Sequence, residues 1–214
     1  MQREQRQGGF TLTEILIASM ILLTMVGGIY ALFSTGLDTY QVGTSNAEVD
    51  RRTVQVLELI ADDLATAGRS VVFPTPTYPA TTPSVTLQKN TGFAGGAITW
   101  GPTTVIAFRH AADDPDDGKD NNGNGLIDEG EVIRTIDAGT PNERTTVITR
   151  FVREYLEGEI PNGIDDNGNG LVDEPGLSFD TIGDVWTIRL TLEKRDTRGR
   201  LVTQTVQTAV KMRN

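Results

Sequence analysis

The sequence predicts an α+β fold: one long N-terminal α-helix, its first half transmembrane and its second half amphipathic, packed on an antiparallel β-sheet domain with two loop insertions. Three observations predict it. An apolar run from Phe10 to Phe33 carries a single ionisable group, Glu14. A stripe of apolar residues at three- and four-residue steps follows it. The rest of the chain is a series of short, β-rich runs, interrupted by two segments dense in Asp, Asn and Gly.

The apolar run comes first. Phe10 to Phe33 is 24 residues, about 36 Å of helix at ~1.5 Å per residue, enough to cross a bilayer core of ~30 Å. A secretory signal peptide would have a shorter apolar stretch and a small-x-small cleavage site after it. Tyr30-Ala31-Leu32-Phe33 supplies none. A plain single-pass anchor would have no use for an acid inside the apolar run, because a charge at the bilayer centre costs about 2.5–3.5 kcal/mol even on lenient scales.

The residues in front of the run are Gly8-Gly9-Phe10-Thr11-Leu12-Thr13-Glu14. A short polar leader ending in glycine, then Phe, then an acid four residues on, resembles the class III signal of type IV pilins and of the pseudopilins of type II secretion. The resemblance implies a leader of residues 1–9, cut after Gly9 by a prepilin peptidase that methylates the new N-terminus, Phe10. It implies that Glu14 pairs with the free amine of a neighbouring subunit, which removes two charges from lipid at once. Residues 10–33 would be the transmembrane and filament-core helix. The other expected partners are membrane lipid before assembly and major or minor pilins, or pseudopilins, through this helix. The implied location is the inner membrane, crossed once with the N-terminus cytoplasmic, and then the pilus or pseudopilus at the cell surface. The proline that many major pilins carry midway along this helix is replaced here by Ala31, and Gly27-Gly28 can soften the helix instead.

Residues 34–68 read as the amphipathic spine. Val54, Leu57, Ile60, Ala61 and Leu64 recur at helical spacing, while Asp50, Arg51, Arg52, Glu58, Asp62 and Asp63 mostly fall elsewhere on the wheel. Gly68 is the expected C′ stop. One helix over residues 10–67 would be roughly 85–90 Å long; two helices broken near Gly36 or Gly43 are the alternative.

Residues 69–214 read as the β-domain. Pro74 to Pro83 is a Pro/Thr-rich connection that cannot be helical. Strands are expected over Ser84–Gln88, Ile98–Trp100, Thr104–His110, Val132–Asp137, Thr145–Glu154, Trp186–Lys194 and Leu201–Met212. Val185, Thr187, Arg189 and Thr191 alternate with Trp186, Ile188, Leu190 and Leu192. The link Arg195–Arg200 reads as a hairpin turn. Together with the N-terminal resemblance this is a pilin-like architecture. Leu57–Gly68 and the ending Thr208–Asn214 are similar to those of PilW-type minor pilins, and J-type pseudopilins have a similar helix.

Composition limits the partners. Net charge is −10 and becomes −11 without residues 1–9, which argues against nucleic acid, since phosphate binding wants a basic face. There is no cysteine, so no disulfide framework can close the loops, although the implied export reaches an oxidising compartment. Fifteen of the 29 acids lie in residues 113–131 and 154–174, which needs a local explanation.

That explanation is calcium. Asp120 to Glu131 fits D-x-[DN]-x-[DN]-G-x5-E at every specified position. Calcium wants six to eight oxygens. The expected ligands are Asp120, Asn122, Asn124, the carbonyl of Leu126, Asp128 and a bidentate Glu131, with Asp117 as a further candidate. Ile127 is expected to point into a core. The run returns 45 residues later as Asp165, Asn167, Asn169, Leu171 and Asp173, with Asn162 ahead of it. Its twelfth position is Gly176, so Glu174 or water would substitute and the second site is less complete. The loops, residues 117–131 and 162–176, resemble thrombospondin- and dockerin-type calcium loops more than complete EF-hands. Affinities of ~10⁻⁴–10⁻³ M are expected. The alternatives are a pair of Asn-Gly hairpin turns or flexible acidic loops.

No catalytic residue is expected. His110 lies near Asp113 and Asp114, but no Gly-x-Ser-x-Gly elbow accompanies it. The function implied is assembly of a minor pilin with a calcium-stabilised outer domain. The alternatives are a J-type pseudopilin and a membrane-anchored calcium-dependent adhesin or binding module.

Overall fold

The computed structural model describes residues 9–212. The expected leader, residues 1–9, lies outside the described residues apart from Gly9. The chain divides into two compact units, Met1–Thr44 and Ser45–Asn214. Helix α1 runs over Leu12–Ala65, 54 residues, with no break at Gly36 or Gly43.

Within the first unit the side chains of α1 are almost all exposed. By length and composition this is the helix apolar enough to cross a membrane. Its hydroxyls are satisfied locally: Thr24 Oγ1 donates to the Ile21 carbonyl at 2.8 Å, Thr35 Oγ1 to Ala31 at 2.9 Å, and Thr39 Oγ1 to Thr35 at 3.0 Å. Ser19 donates to the Ile15 carbonyl in the same way. A helix in lipid has no water to satisfy such groups, so these back-bonds suit the environment.

In the second unit α1 buries Val49, Thr53, Val56, Leu57, Ile60 and Leu64. The stripe is rotated slightly from the expected one: Val54 is left exposed, and Thr53 and Val56 take the buried face. Thr53 is tolerated there because its hydroxyl donates to the Val49 carbonyl at 2.8 Å. Asp63 also faces inward, with Lys89 and Arg134 closing on its carboxylate. A buried carboxylate demands such partners.

The sheet has strands β1 (Ser84–Leu87), β4 (Thr104–His110), β5 (Gly130–Ile136), β6 (Arg144–Val152), β7 (Leu177–Ile182), β8 (Val185–Arg195) and β9 (Leu201–Lys211). Their order is β1-β4-β5-β6-β8-β7, with β9 paired along β8. Every pair is antiparallel. A separate hairpin joins β2 (Asn90–Ala94) to β3 (Ala97–Trp100) through Gly95-Gly96, both at positive φ. The core sets Leu57, Ile60 and Leu64 of α1 in one cluster with Val85, Ile106, Val132, Phe179, Ile188 and Leu190 of the sheet.

The alternation along β8 holds: Trp186, Ile188, Leu190 and Leu192 are buried. The hairpin into β9 is closed by Asp196, whose Oδ1 accepts from the Arg198 and Arg200 amides at 2.8 and 2.9 Å. The Pro-rich connection covers the outer edge of β7. Tyr78 and Thr82 donate backbone N–H to Thr181 and Phe179, both at 3.0 Å. An edge capped by prolines and irregular chain cannot recruit another strand there.

Gly68 has a different role from the expected C′ stop. It is extended, at φ −81° and ψ 135°, and caps a short 3-10 turn, Arg69–Val71. Glycine is required by proximity instead: a Cβ there would lie 1.8 Å from the Trp100 ring. Gly68→Ala is therefore expected to displace the indole and cost about 1–3 kcal/mol. A thermal melt would read the loss, and a change in tryptophan emission would report the moved ring.

Candidate functional site

Two regions carry chemistry, and each is built by local sequence. The first is the start of α1. Thr11 is the N-cap and Glu14 is N3, a capping box. The Glu14 amide donates to Thr11 Oγ1 at 3.3 Å, and Glu14 Oε2 accepts from the Thr11 amide and hydroxyl, both at 2.8 Å. Only Oε2 is engaged in these bonds. Gly9 and Phe10 are exposed ahead of the cap, Phe10 at 87 %.

Residues 5–30 match the family described as the prokaryotic N-terminal methylation motif. The chain carries a prepilin-type signal. The motif indicates a type IV pilin- or pseudopilin-like substrate of prepilin peptidase, and it implies assembly with other pilins from a membrane-anchored state. The motif indicates a structural protein. No curated protein and no solved structure matches the chain.

The second region is the pair of acidic loops. One joins β4 to β5 and the other joins β6 to β7. His110, Gly130 and Val152 are register neighbours, so both loops leave the same end of the sheet. The hydrogen bonds reveal a duplication longer than the sequence motif. Ala111 N–H donates to the Glu129 carbonyl and Leu156 N–H to that of Glu174; Asp114 N–H donates to Ala111 and Glu159 N–H to Leu156. Residues 111–129 and 156–174 are thus one arrangement used twice, at the 45-residue offset.

Inside each copy the first Asp is a hub. Asp120 Oδ1 accepts from the Gly123 and Asn124 amides at 2.7 and 3.1 Å, and Oδ2 from Gly125 at 2.8 Å. Asp165 does the same with Gly168, Asn169 and Gly170, at 2.7, 3.1 and 2.8 Å. Gly125 and Gly170 sit at φ +87° and +88°, which only glycine adopts freely. Asp128 accepts from the amides of Asp117 and Gly118, and Asp173 from those of Asn162 and Gly163. Asn122 and Asn124 accept from the Asn124 and Leu126 amides through Oδ1, as Asn167 and Asn169 do from Asn169 and Leu171.

Several expected positions are placed differently. Glu131 is engaged by arginines of the sheet. It lies in β5 opposite Arg109, whose Nε donates to its Oε1 at 2.9 Å, and Arg150 stands at 3.7 Å. The position-ten acid turns inward instead: Asn122 Nδ2 donates to Glu129 Oε1 at 2.9 Å, with Asn124 beside it, and Asn167 and Asn169 approach Glu174 in the same way. Ile127 does not point into a core and is 61 % exposed; Leu126 and Leu171 are the buried anchors. Asp117 Oδ1 is taken by the Lys119 amide and by Asn121 Nδ2, and Asn162 Oδ1 by the Ile164 amide.

Two functional candidates lay outside the motif. Asp114 and Glu159, at the 45-residue offset and six residues before each hub, are buried and face the loop interior. Asp114 Oδ1 accepts from the Asn121 amide at 2.8 Å, and Glu159 Oε1 from Asn167 at 3.0 Å. Asp114 lies against Glu129: that contact holds Asp114 below the usual carboxylate range, while burial and then Asp114 push Glu129 up. The signal available in sequence was an acid at the same offset in both copies.

Donor atoms of His110, Asp116 and Glu154 lie within 4.8 Å of one another at the root of the first loop. His110 Nδ1 is 3.2 Å from the Asp128 carbonyl. Burial, then the charge of Asp116, pushes Glu154 up. Asp114 turns to Glu129.

Because each hub Asp satisfies three backbone amides, Asp120→Ala or Asp165→Ala is expected to cost about 1–3 kcal/mol. The loss should persist in chelator. A melt of each variant in EDTA checks it.

Proposed function

We propose that this chain is a PilW-type minor pilin that helps prime a type IV pilus and displays a calcium-stabilised domain outside the membrane. One observation carries the reading. The methylation signal leads directly into α1, whose apolar start suits lipid and whose later turns bury a stripe under an antiparallel sheet. Such a chain is built to be handed from membrane to bundle with its domain attached.

Glu14 has two tasks in this scheme. Oε2 caps the chain's own helix. The negative charge draws the amine of a neighbouring N-terminus, because two opposite charges paired in lipid cost less than two apart. The two tasks separate experimentally. Glu14→Gln keeps an oxygen to cap with and loses the charge. Membrane insertion should be unchanged, and incorporation into filaments should be lost, read by the protein content of sheared pili. Normal incorporation of Glu14→Gln would refute the docking role and favour a membrane-anchored binding module. Deletion of the chain should abolish surface pili and spare secreted enzymes; the reverse would make it a J-type pseudopilin.

Calcium is supported by the donor chemistry. Both loops offer only oxygen and amide side chains, and a hard cation suits them. The residues also fit on a structural criterion: buried carboxylate oxygens at Asp114, Glu129, Glu159 and Glu174 have no partner. With calcium about 100-fold above its dissociation constant, each site should add about 2.7 kcal/mol. Melting the detergent-solubilised chain in about 10–100 mM calcium, ~100-fold above the expected dissociation constant, and then in EDTA reads this directly. An unchanged melting temperature would sink the structural role.

A further inference from the structure

Resting on the calcium reading of the loops, we propose that each ion is held by a buried carboxylate pair, Asp114 with Glu129 and Glu159 with Glu174, and that Glu131 takes no part. The two sites are then equivalent, and the chain binds two ions of similar affinity.

The argument is by what each acid is already doing. In the first copy Asp120 and Asp128 have given their oxygens to backbone amides. Glu131 has Arg109 and Arg150. Asp117 has Lys119 and Asn121. Asp113 and Asp116 are exposed, so the buried acids that remain are Asp114, fully buried, and Glu129, 4 % exposed. Each keeps one inaccessible oxygen with no partner, Asp114 Oδ2 and Glu129 Oε2. The second copy repeats this at Glu159, 2 % exposed, and Glu174, fully buried, with both Oε2 atoms unpartnered.

Two inaccessible carboxylates in one loop, each with an unpartnered oxygen, are costly unless a cation is shared between them. The donors are all oxygen, which excludes a preference for soft metals. Neutral amides of Asn122 and Asn124, or of Asn167 and Asn169, converge on the outer acid of each pair and add no further negative charge. A missing acid at position twelve of the second loop is then of no consequence.

The test uses the full chain in detergent, stripped with chelator and titrated calorimetrically with calcium chloride. Wild type should bind two ions. Glu129→Gln and Glu174→Gln should each bind one, and the double variant none, with affinity at each altered site falling by more than the ~10–100-fold typical of an outer-shell change. Glu131→Gln should still bind two. The unaltered loop serves as the folding control within each single variant. In EDTA the Gln variants should melt no lower than wild type, since they remove unpartnered charge rather than a contact. Loss of one ion in Glu131→Gln with two retained in Glu129→Gln would overturn this ligand set and restore the EF-type one. No calcium bound by wild type would instead overturn the calcium reading itself.

Discussion

Buried negative charge has to be matched, and the second unit matches it in two different ways. Within the sheet the partner is a cation. Asp63 meets Lys89 and Arg134, Asp180 meets Arg189, and Glu131 meets Arg109 and Arg150. These pairs tie α1 to the strands, β7 to β8, and β4 to β5 and β6. In the loops, where Asp128 is buried, Asp165 and Asp173 are half-buried and Asp120 is exposed, the partner is the backbone. Asp120, Asp128, Asp165 and Asp173 collect amide N–H groups that no strand or helix would use. A loop has no ladder to satisfy its amides, so acids stand in for one.

This division explains why acids crowd at one end of the sheet without a matching crowd of Lys and Arg. It also separates shape from affinity. The hub aspartates set the curve of each loop through their bonds to backbone amides. The carboxylate pairs contribute little to that curve and hold the unmatched charge. In a chain without cysteine, the loops are fixed against the sheet by their own amide bonds and by the buried Leu126 and Leu171, and the proposed ion would add to these.

Much of this was legible in the residues. The apolar run, the helical stripe through Leu57, Ile60 and Leu64 and the alternation of β8 follow from period and spacing; spacing singled out Asp120 and Asp165 as metal ligands, not as acceptors of backbone amides. β7 was not legible: it is buried on both faces, so it lacks alternation, and a Ser and an Asp interrupt it. β2 was missed for the opposite reason, being exposed throughout. Val54 and Ile127 were misplaced because periodicity cannot resolve one step of rotation on a helix, nor say which of two neighbouring apolar residues in a loop turns inward. Glu131 fitted a motif by position, but the motif carries no knowledge of Arg109 on the adjacent strand. Asp114 and Glu159 precede the hub where such motifs begin, so the motif misses them although both copies carry an acid at that offset.

One exchange between the copies argues that the loops are constrained as units. In the first, the Asn121 amide donates to the carboxylate of Asp117 at 3.0 Å. In the second, the Asn162 amide donates to the carboxylate of Asp166 at 2.8 Å. Positions 117 and 162 correspond, as do 121 and 166, so acid and amide have changed places across the same contact. Either order supplies one donor group and one acceptor, and neither changes the charge of the loop. Two acids there would repel, and two amides would lose the charge-assisted bond. A contact preserved with its polarity reversed fixes the loop by the bond itself rather than by where the charge sits. That leaves the positions that do not exchange, the acid pair and the hub of each copy, as the ones whose charge and place both matter.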